Sequence, residues 1–183
     1  KSIEGGSFVK NEALLAAASH AKKNGSTLHF AGLVSPGGVH SHQDHLYALL
    51  EFAKKQGIKK AAVHAILDGR DTIFNTGADF VAALEGKMKS IGVGAIASLS
   101  GRFYAMDRDN RWDRTEKAYA AMVYGEGEQA ENALEAVKQS YDKKVYDEEF
   151  IPTVIVKGGK PVAPIGDADA VVFFNFREDR MRQ

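Results

Sequence analysis

The eight arginines of this 183-residue chain fall in three short stretches. Arg70 stands in Asp68-Gly69-Arg70-Asp71-Thr72. Arg102, Arg108, Arg111 and Arg114 crowd into residues 102–114, and Arg177, Arg180 and Arg182 into residues 177–182. The sixteen lysines are placed differently, most of them on expected helix surfaces or in turns (Lys22, Lys23, Lys54, Lys55, Lys87, Lys89). A guanidinium presents a planar fork of donors that matches a carboxylate or phosphate with two hydrogen bonds, whereas an ammonium is a mobile point charge. Several such forks facing one cleft would suit a small ligand with more than one anionic group. The competing use is local ion pairing, since Asp71, Asp107, Asp109, Asp113, Glu178 and Asp179 stand close by in sequence.

A second constellation is Ser35-Pro36-Gly37-Gly38-Val39-His40-Ser41-His42. Paired glycines let a backbone approach a ligand or adopt positive φ, and an imidazole exchanges protons near neutral pH. His40, His42 and His45 with Asp44 also have a spacing that could hold a metal, with two histidines on one helix face and His40 reaching in. Capping roles account for Ser41 and Asp44, however, and no second cluster supplies further ligands, so no metal site is expected in this chain. His20, His29 and His64 lie in regular elements and read as structural.

The elements that must carry these residues follow from periodicity. Asn11 caps a helix running to about Asn24, with Gly25 ending it. Residues 27–34 read as a buried strand. Ser41-His42-Gln43-Asp44 resembles a capping box, opening a helix whose stripe is Leu46, Leu49, Leu50 and Ala53, with Gly57 after its end. Residues 61–67 form a second strand, Thr76 caps a helix bearing Phe80, Leu84 and Met88, and residues 93–99 form a third strand. Helices are expected over 112–124 and 129–142, and strands over 152–156 and 171–176, with a loop or hairpin around Gly158 to Pro164. The alternation predicts an α/β fold, a three-layer α/β/α arrangement with a mostly parallel sheet. Ligands of such sheets bind beyond the carboxyl ends of the strands. All eight arginines and the glycine–histidine turn follow predicted strands and are expected at that edge.

Composition narrows the partners. Twenty-four basic and 24 acidic residues balance, which gives no electrostatic reason for nucleic acid or an anionic membrane. Arg108 to Arg114 interleaved with Phe103, Tyr104 and Trp112 could contact single strands, but Asp107, Asp109 and Asp113 interrupt the charge. There is no cysteine, so thiolate chemistry and disulfides are excluded. No apolar run approaches the roughly 20 residues of a membrane helix. A cytoplasmic location and a monomer are the expectations.

Four segments together resemble one family. They are Ser35–His42, Asp68–Thr72, Gly101-Arg102-Phe103-Tyr104-Ala105-Met106-Asp107-Arg108-Asp109-Asn110-Arg111-Trp112, and Phe174-Asn175-Phe176-Arg177-Glu178-Asp179-Arg180. Their types and order are similar to the signature segments of cofactor-independent phosphoglycerate mutases. The resemblance implies a two-domain enzyme in which residues 1–183 form one substrate-binding domain, inserted in or excised from a metal-dependent phosphatase-like domain. That partner domain would carry two divalent metals, with manganese the expected ion, and a serine that is transiently phosphorylated. Neither the metal ligands nor that serine is recognisable here, so this chain itself is expected to bind no cofactor and to be inactive alone.

The resemblance also implies the substrate, 2- or 3-phosphoglycerate, and its contacts: His40, Arg70, Asp71, Arg102, Arg108, Arg177 and Arg180. Arg177 and Arg180 are expected on the phosphate; Arg102 and Arg108, supported by Arg70, on the carboxylate and hydroxyls. Asp71 is the expected base, or else an ion pair that orients Arg70; His40 is the expected donor or second acceptor. The surface should be a half-site, open to solvent. The alternative is a stand-alone phosphosugar- or anion-binding module without catalysis.

Overall fold

The computed structural model describes residues 1–183. Its helices are α1 (Glu12–Asn24), α2 (Gln43–Lys55), α3 (Gly77–Ile91), α4 (Arg102–Ala105), α5 (Trp112–Val123) and α6 (Ala133–Asp142). Its strands are β1 (Leu28–Leu33), β2 (Ala61–Leu67), β3 (Ala95–Gly101), β4 (Glu128–Ala130), β5 (Thr153–Lys157), β6 (Lys160–Pro161) and β7 (Ala170–Phe173). One sheet runs in the order β4-β5-β3-β2-β1-β7, with β6 hairpinned onto β5. The pairs β1–β2, β2–β3 and β1–β7 are parallel, while β5 runs antiparallel to β3. The expected three-layer α/β/α arrangement with a mostly parallel sheet is what forms.

Period-two alternation divides the sheet between two cores. Leu28, Phe30, Val63, Ala65, Leu67, Ile96 and Leu99 face one side, where Ala18 and Ala21 of α1, Leu46, Leu49 and Leu50 of α2, Val81 and Leu84 of α3 and Val137 of α6 cover them. Leu33 and Ile66 face the other side and pack on Met106, just beyond α4. Ala121 of α5 packs there on Val154 and Val156 of β5.

That second side also carries a polar row. His29, His64 and Ser98 sit on neighbouring strands and are almost wholly buried. His64 Nδ1 is 2.8 Å from Ser98 Oγ, His64 Nε2 is 2.9 Å from His29 Nδ1, and His29 Nε2 is 3.1 Å from Asp169. Satisfying every ring nitrogen requires Ser98 to donate to His64, His64 to His29, and His29 to Asp169. Burial drives the His64 pKa down to about 3, with His29 adding to the effect. Burial also lowers His29, against the opposing pull of Asp169. With Ser98, His64 and His29 buried and only Asp169 reaching partly to the surface, the row admits no substrate; it ties three strands together, and the structural reading of His29 and His64 holds.

Several local expectations change. The N-cap of α2 is His42, whose ring accepts from the Asp44 amide, while the Ser41 hydroxyl instead donates back to the Leu33 carbonyl. Thr76 precedes α3, yet its hydroxyl donates to the Ile73 carbonyl. The first α3 amide, that of Gly77, donates to Asp147 at 2.8 Å, a carboxylate 70 residues away. Residues 128–130 form an edge strand, and the following helix starts after Asn132, whose side chain caps it.

Candidate functional site

Because β1, β2, β3 and β7 are mutually parallel, the segments following them all emerge at one edge of the sheet. Asp68 organises the turn after β2. Its Oδ1 accepts from the amides of Arg70 (3.2 Å) and Asp71 (3.0 Å), and Gly69 supplies the left-handed φ of +70° that the turn needs. Its Oδ2 accepts from the Ser35 hydroxyl at 2.6 Å, which locks in the turn after β1. Gly37 makes this approach possible, since a Cβ there would lie 2.8 Å from the Asp71 Cβ. The turn after β7 is anchored similarly. Asn175 Oδ1 accepts from the Leu33 amide at 2.9 Å, and the His40 carbonyl accepts from the Phe176 amide at 2.9 Å.

At the centre lies Arg102, the first residue of α4 and only 5% exposed. Its Nη1 donates to Asp68 Oδ1 at 2.6 Å and to Asp71 Oδ2 at 2.8 Å. Burial opposes ionisation of Asp68, but the Ser35 hydroxyl, the Asp71 amide, Arg102 and the Arg70 amide together hold its carboxyl below the usual range. His40 Nε2 stands 3.8 Å from Asp71 Oδ2, and its Nδ1 is buried without a partner. Burial first, then the Arg102 charge, lowers the His40 pKa despite Asp71. The ring is therefore neutral at pH 7, able to donate through one nitrogen and accept through the other.

More exposed guanidiniums surround this floor. Arg108 and Arg177 reach Asp179 from two sides, at 3.2 and 2.9 Å. Arg180 donates from Nη1 to the Met106 carbonyl at 3.0 Å, and its Nε is buried without a partner. Burial, then the charges of Arg108 and Arg102, push Arg180 below the ordinary arginine range; Asp179 opposes this and Arg70 adds to it. Positive charge thus exceeds what nearby carboxylates neutralise, a field that favours an anion.

The seven residues singled out from sequence therefore share one neighbourhood, with two changes of partner. Asp71 pairs with Arg102 rather than Arg70, and Arg70 turns to Glu148 at 3.4 Å. The remaining arginines make local pairs. Arg111 reaches Asp107 and Asp109, Arg182 reaches Glu178, and Arg114 lies 3.5 Å over the Phe103 ring. Asp68 and Glu148 carry weight that sequence reasoning did not assign; only the position of Asp68 inside the arginine motif pointed to it.

No three His, Cys, Asp or Glu side chains are arranged to hold a metal ion. His42 is taken by its capping role and His45 packs edge-on against Phe176. The residues present do not fit the divalent metals that the resemblance implies for a partner domain.

Residues 1–183 match the family described as BPG-independent PGAM N-terminus (iPGM_N). The chain belongs to that family. Its relatives include the 2,3-bisphosphoglycerate-independent phosphoglycerate mutases of Lachnoclostridium phytofermentans, 57% identical over 183 residues, and of Clostridium novyi, 58% identical. Each match covers 100% of this chain and 36% of the relative, so the chain spans about a third of the length of these mutases. A crystal structure of Leishmania mexicana phosphoglycerate mutase at low cobalt concentration superposes with a TM-score of 0.93 at 36% identity, covering 98% of this chain and 34% of that one.

Proposed function

We propose that this chain binds 2- or 3-phosphoglycerate and positions it for phosphoryl transfer inside a longer phosphoglycerate mutase. The observation that carries this reading is the excess of guanidinium charge around an Asp71–Arg102–His40 floor, in a member of a mutase family. Phosphoryl transfer depends mainly on positioning and charge stabilisation, and arginine forks supply both.

In this reading Arg177 and Arg180 take the phosphate, Arg180 through donors that Met106 leaves free. Arg108 and Arg102, supported by Arg70, take the carboxylate and hydroxyls. An incoming anionic group displaces Asp179 from Arg108 and Arg177, an exchange made cheap by the exposure of all three. Asp71 accepts the proton of the reacting hydroxyl, and neutral His40 steadies that hydroxyl by hydrogen bonding. The phosphoserine, the divalent metals and the phosphatase-like domain belong, in this proposal, to the part of such mutases that this chain does not span.

The test is titration of this chain with 3-phosphoglycerate, followed by amide NMR. Weak, saturable shifts centred on residues 68–71, 102–108 and 176–180 are expected, and they should vanish in Arg177→Ala and Arg180→Ala. Shifts elsewhere, or none at tens of millimolar ligand, would overturn the proposal.

A further inference from the structure

Asp68 is only 1% exposed, and nothing above gives it a part in the reaction. It shares a single guanidinium nitrogen, Arg102 Nη1, with Asp71: 2.6 Å on one side, 2.8 Å on the other. The trio carries two negative charges and one positive. If Arg102 faced Asp71 alone, the pair would be closed and the carboxylate a poor proton acceptor, because an adjacent cation favours the ionised form. A second carboxylate on the same nitrogen divides that attraction and adds like-charge repulsion. Both effects leave the Asp71 carboxylate less fully committed to Arg102.

We propose that Asp68 is a positioning residue that holds Arg102 in place and, by competing for it, keeps Asp71 able to take a proton from the substrate hydroxyl. The inference rests on the reading of Asp71 as base. In that step the hydroxyl O–H bond breaks, a new O–H bond forms on an Asp71 oxygen, and the electron pair stays on the glycerate oxygen. Asp68 itself keeps no proton, since Ser35, two backbone amides and Arg102 all donate to it. The other charged or titratable groups facing Asp71 are His40 at 3.8 Å and its chain neighbour Arg70, which Glu148 holds from the opposite side. Arg177 and Arg180 act on the same locus through His40.

The geometry separates charge from shape. In Asp68→Asn the amide oxygen can still accept from the Arg70 and Asp71 amides, and the amide nitrogen can donate to Ser35 in place of accepting from it. The negative charge alone is lost. Ser35→Ala acts in the other direction. It removes a donor from Asp68 and leaves that carboxylate to draw harder on Arg102, which loosens the hold of Arg102 on Asp71.

The experiment is the pH profile of mutase activity in the full-length polypeptide carrying this chain. Asp68→Asn should move the acid limb of kcat/KM about one pH unit lower. It should cut plateau kcat about threefold to tenfold through the weaker base, with KM for 3-phosphoglycerate nearly unchanged. Ser35→Ala should move the acid limb upward by a few tenths of a unit. A purely structural role would lower the amount of folded enzyme and leave the limb in place. An unmoved acid limb in Asp68→Asn overturns the inference; if that variant does not fold, an unmoved limb in Ser35→Ala does so. Asp71→Asn separates the two layers. Should it retain activity with its acid limb intact, the base assignment fails, whatever Asp68 does.

Discussion

Gly101 and Phe150 lie too close for any side chain on the glycine. The Gly101 amide donates to the Phe150 carbonyl at 2.8 Å, and a Cβ added to Gly101 would come within 2.6 Å of the Phe150 nitrogen. The segment Asp147–Phe150 is thereby wedged behind the two central turns of the site. It also touches Gly69 and presents Glu148 to Arg70.

Gly101→Ala must therefore push Arg102 or the wedge out of place. Overpacking of this kind costs about 1–3 kcal/mol, and 3-phosphoglycerate binding should fall with it. Gly86 is the control: it lies within α3 with nothing within 4 Å of its Cβ position. Gly86→Ala should gain roughly 0.5–1 kcal/mol through helix propensity. Urea denaturation of both variants makes the comparison; equal stabilities would show that the wedge is not rigid.

The arginines should separate into two classes. Arg102→Ala strands Asp68 and Asp71, and breaking a buried pair costs about 3–5 kcal/mol of stability. Arg177→Ala and Arg180→Ala should leave stability within about 1 kcal/mol but cost roughly 2–5 kcal/mol in kcat/KM of the full-length enzyme. Lysine at either position should recover only part, because the fork is lost. Thermal melts beside steady-state kinetics distinguish the classes, and near-normal kcat/KM in either surface variant would remove it from the site.

Acid should destabilise the fold before Asp68 and Asp169 titrate. His64 has a folded pKa of about 3 against an ordinary value of 6.5, so between those limits the unfolded chain binds more protons and stability falls as pH falls. The loss is roughly 1.4 kcal/mol per unit below 6.5, or roughly 3 kcal/mol by pH 4.5 for this one histidine. Asp68 and Asp169 have depressed folded values and add their own loss only below about 3.8. Unfolding free energies measured from pH 7 to 4.5 should fall, and His64→Gln should flatten that slope. An unchanged slope would place the acid sensitivity elsewhere.

Tyr141 and Asp147 together tie the segment after α6 to the start of α3. The phenol donates to a carboxylate that is completely buried and that also receives the Gly77 amide. Tyr141→Phe should cost about 1–3 kcal/mol and loosen the start of α3. A double-mutant cycle with Asp147→Asn should show strong coupling; additive losses would mean the two side chains act independently.

Much of this was legible in the sequence because it is locally encoded. Helix α1 spans the stretch between Asn11 and Gly25, and β2 covers residues 61–67 as its apolar run requires. The site residues cluster because parallel strands send their following turns to one edge. What stayed hidden depends on partners far along the chain. Thr76 looked like the cap of α3, yet Asp147 performs that role from 70 residues away. Arg70 has Asp71 as its chain neighbour, while folding brings Glu148 to it instead. The strand at Glu128–Ala130 is three residues long, too short for period-two alternation to stand out from a helical start, and only its pairing with β5 defines it.

The position of β7 has a consequence for how the site comes and goes. It is an edge strand with a single neighbour, its four residues are half-exposed or exposed, and it pairs with β1 residues 142 positions earlier in the chain, Leu28 with Ala170 and so on. Edge elements with little buried apolar surface open at far lower free energy than a central strand such as β2. Each brief detachment of β7 would carry Arg177 and Arg180 away while Asp68, Asp71 and Arg102 stay assembled on β2 and β3. Arg177 and Arg180, proposed here for the phosphate, thus follow an edge strand, whereas Asp68, Asp71 and Arg102 follow central ones. Amide protons of Phe174 and Phe176 should exchange with solvent much faster than that of Val63, and a bound anion should slow them selectively.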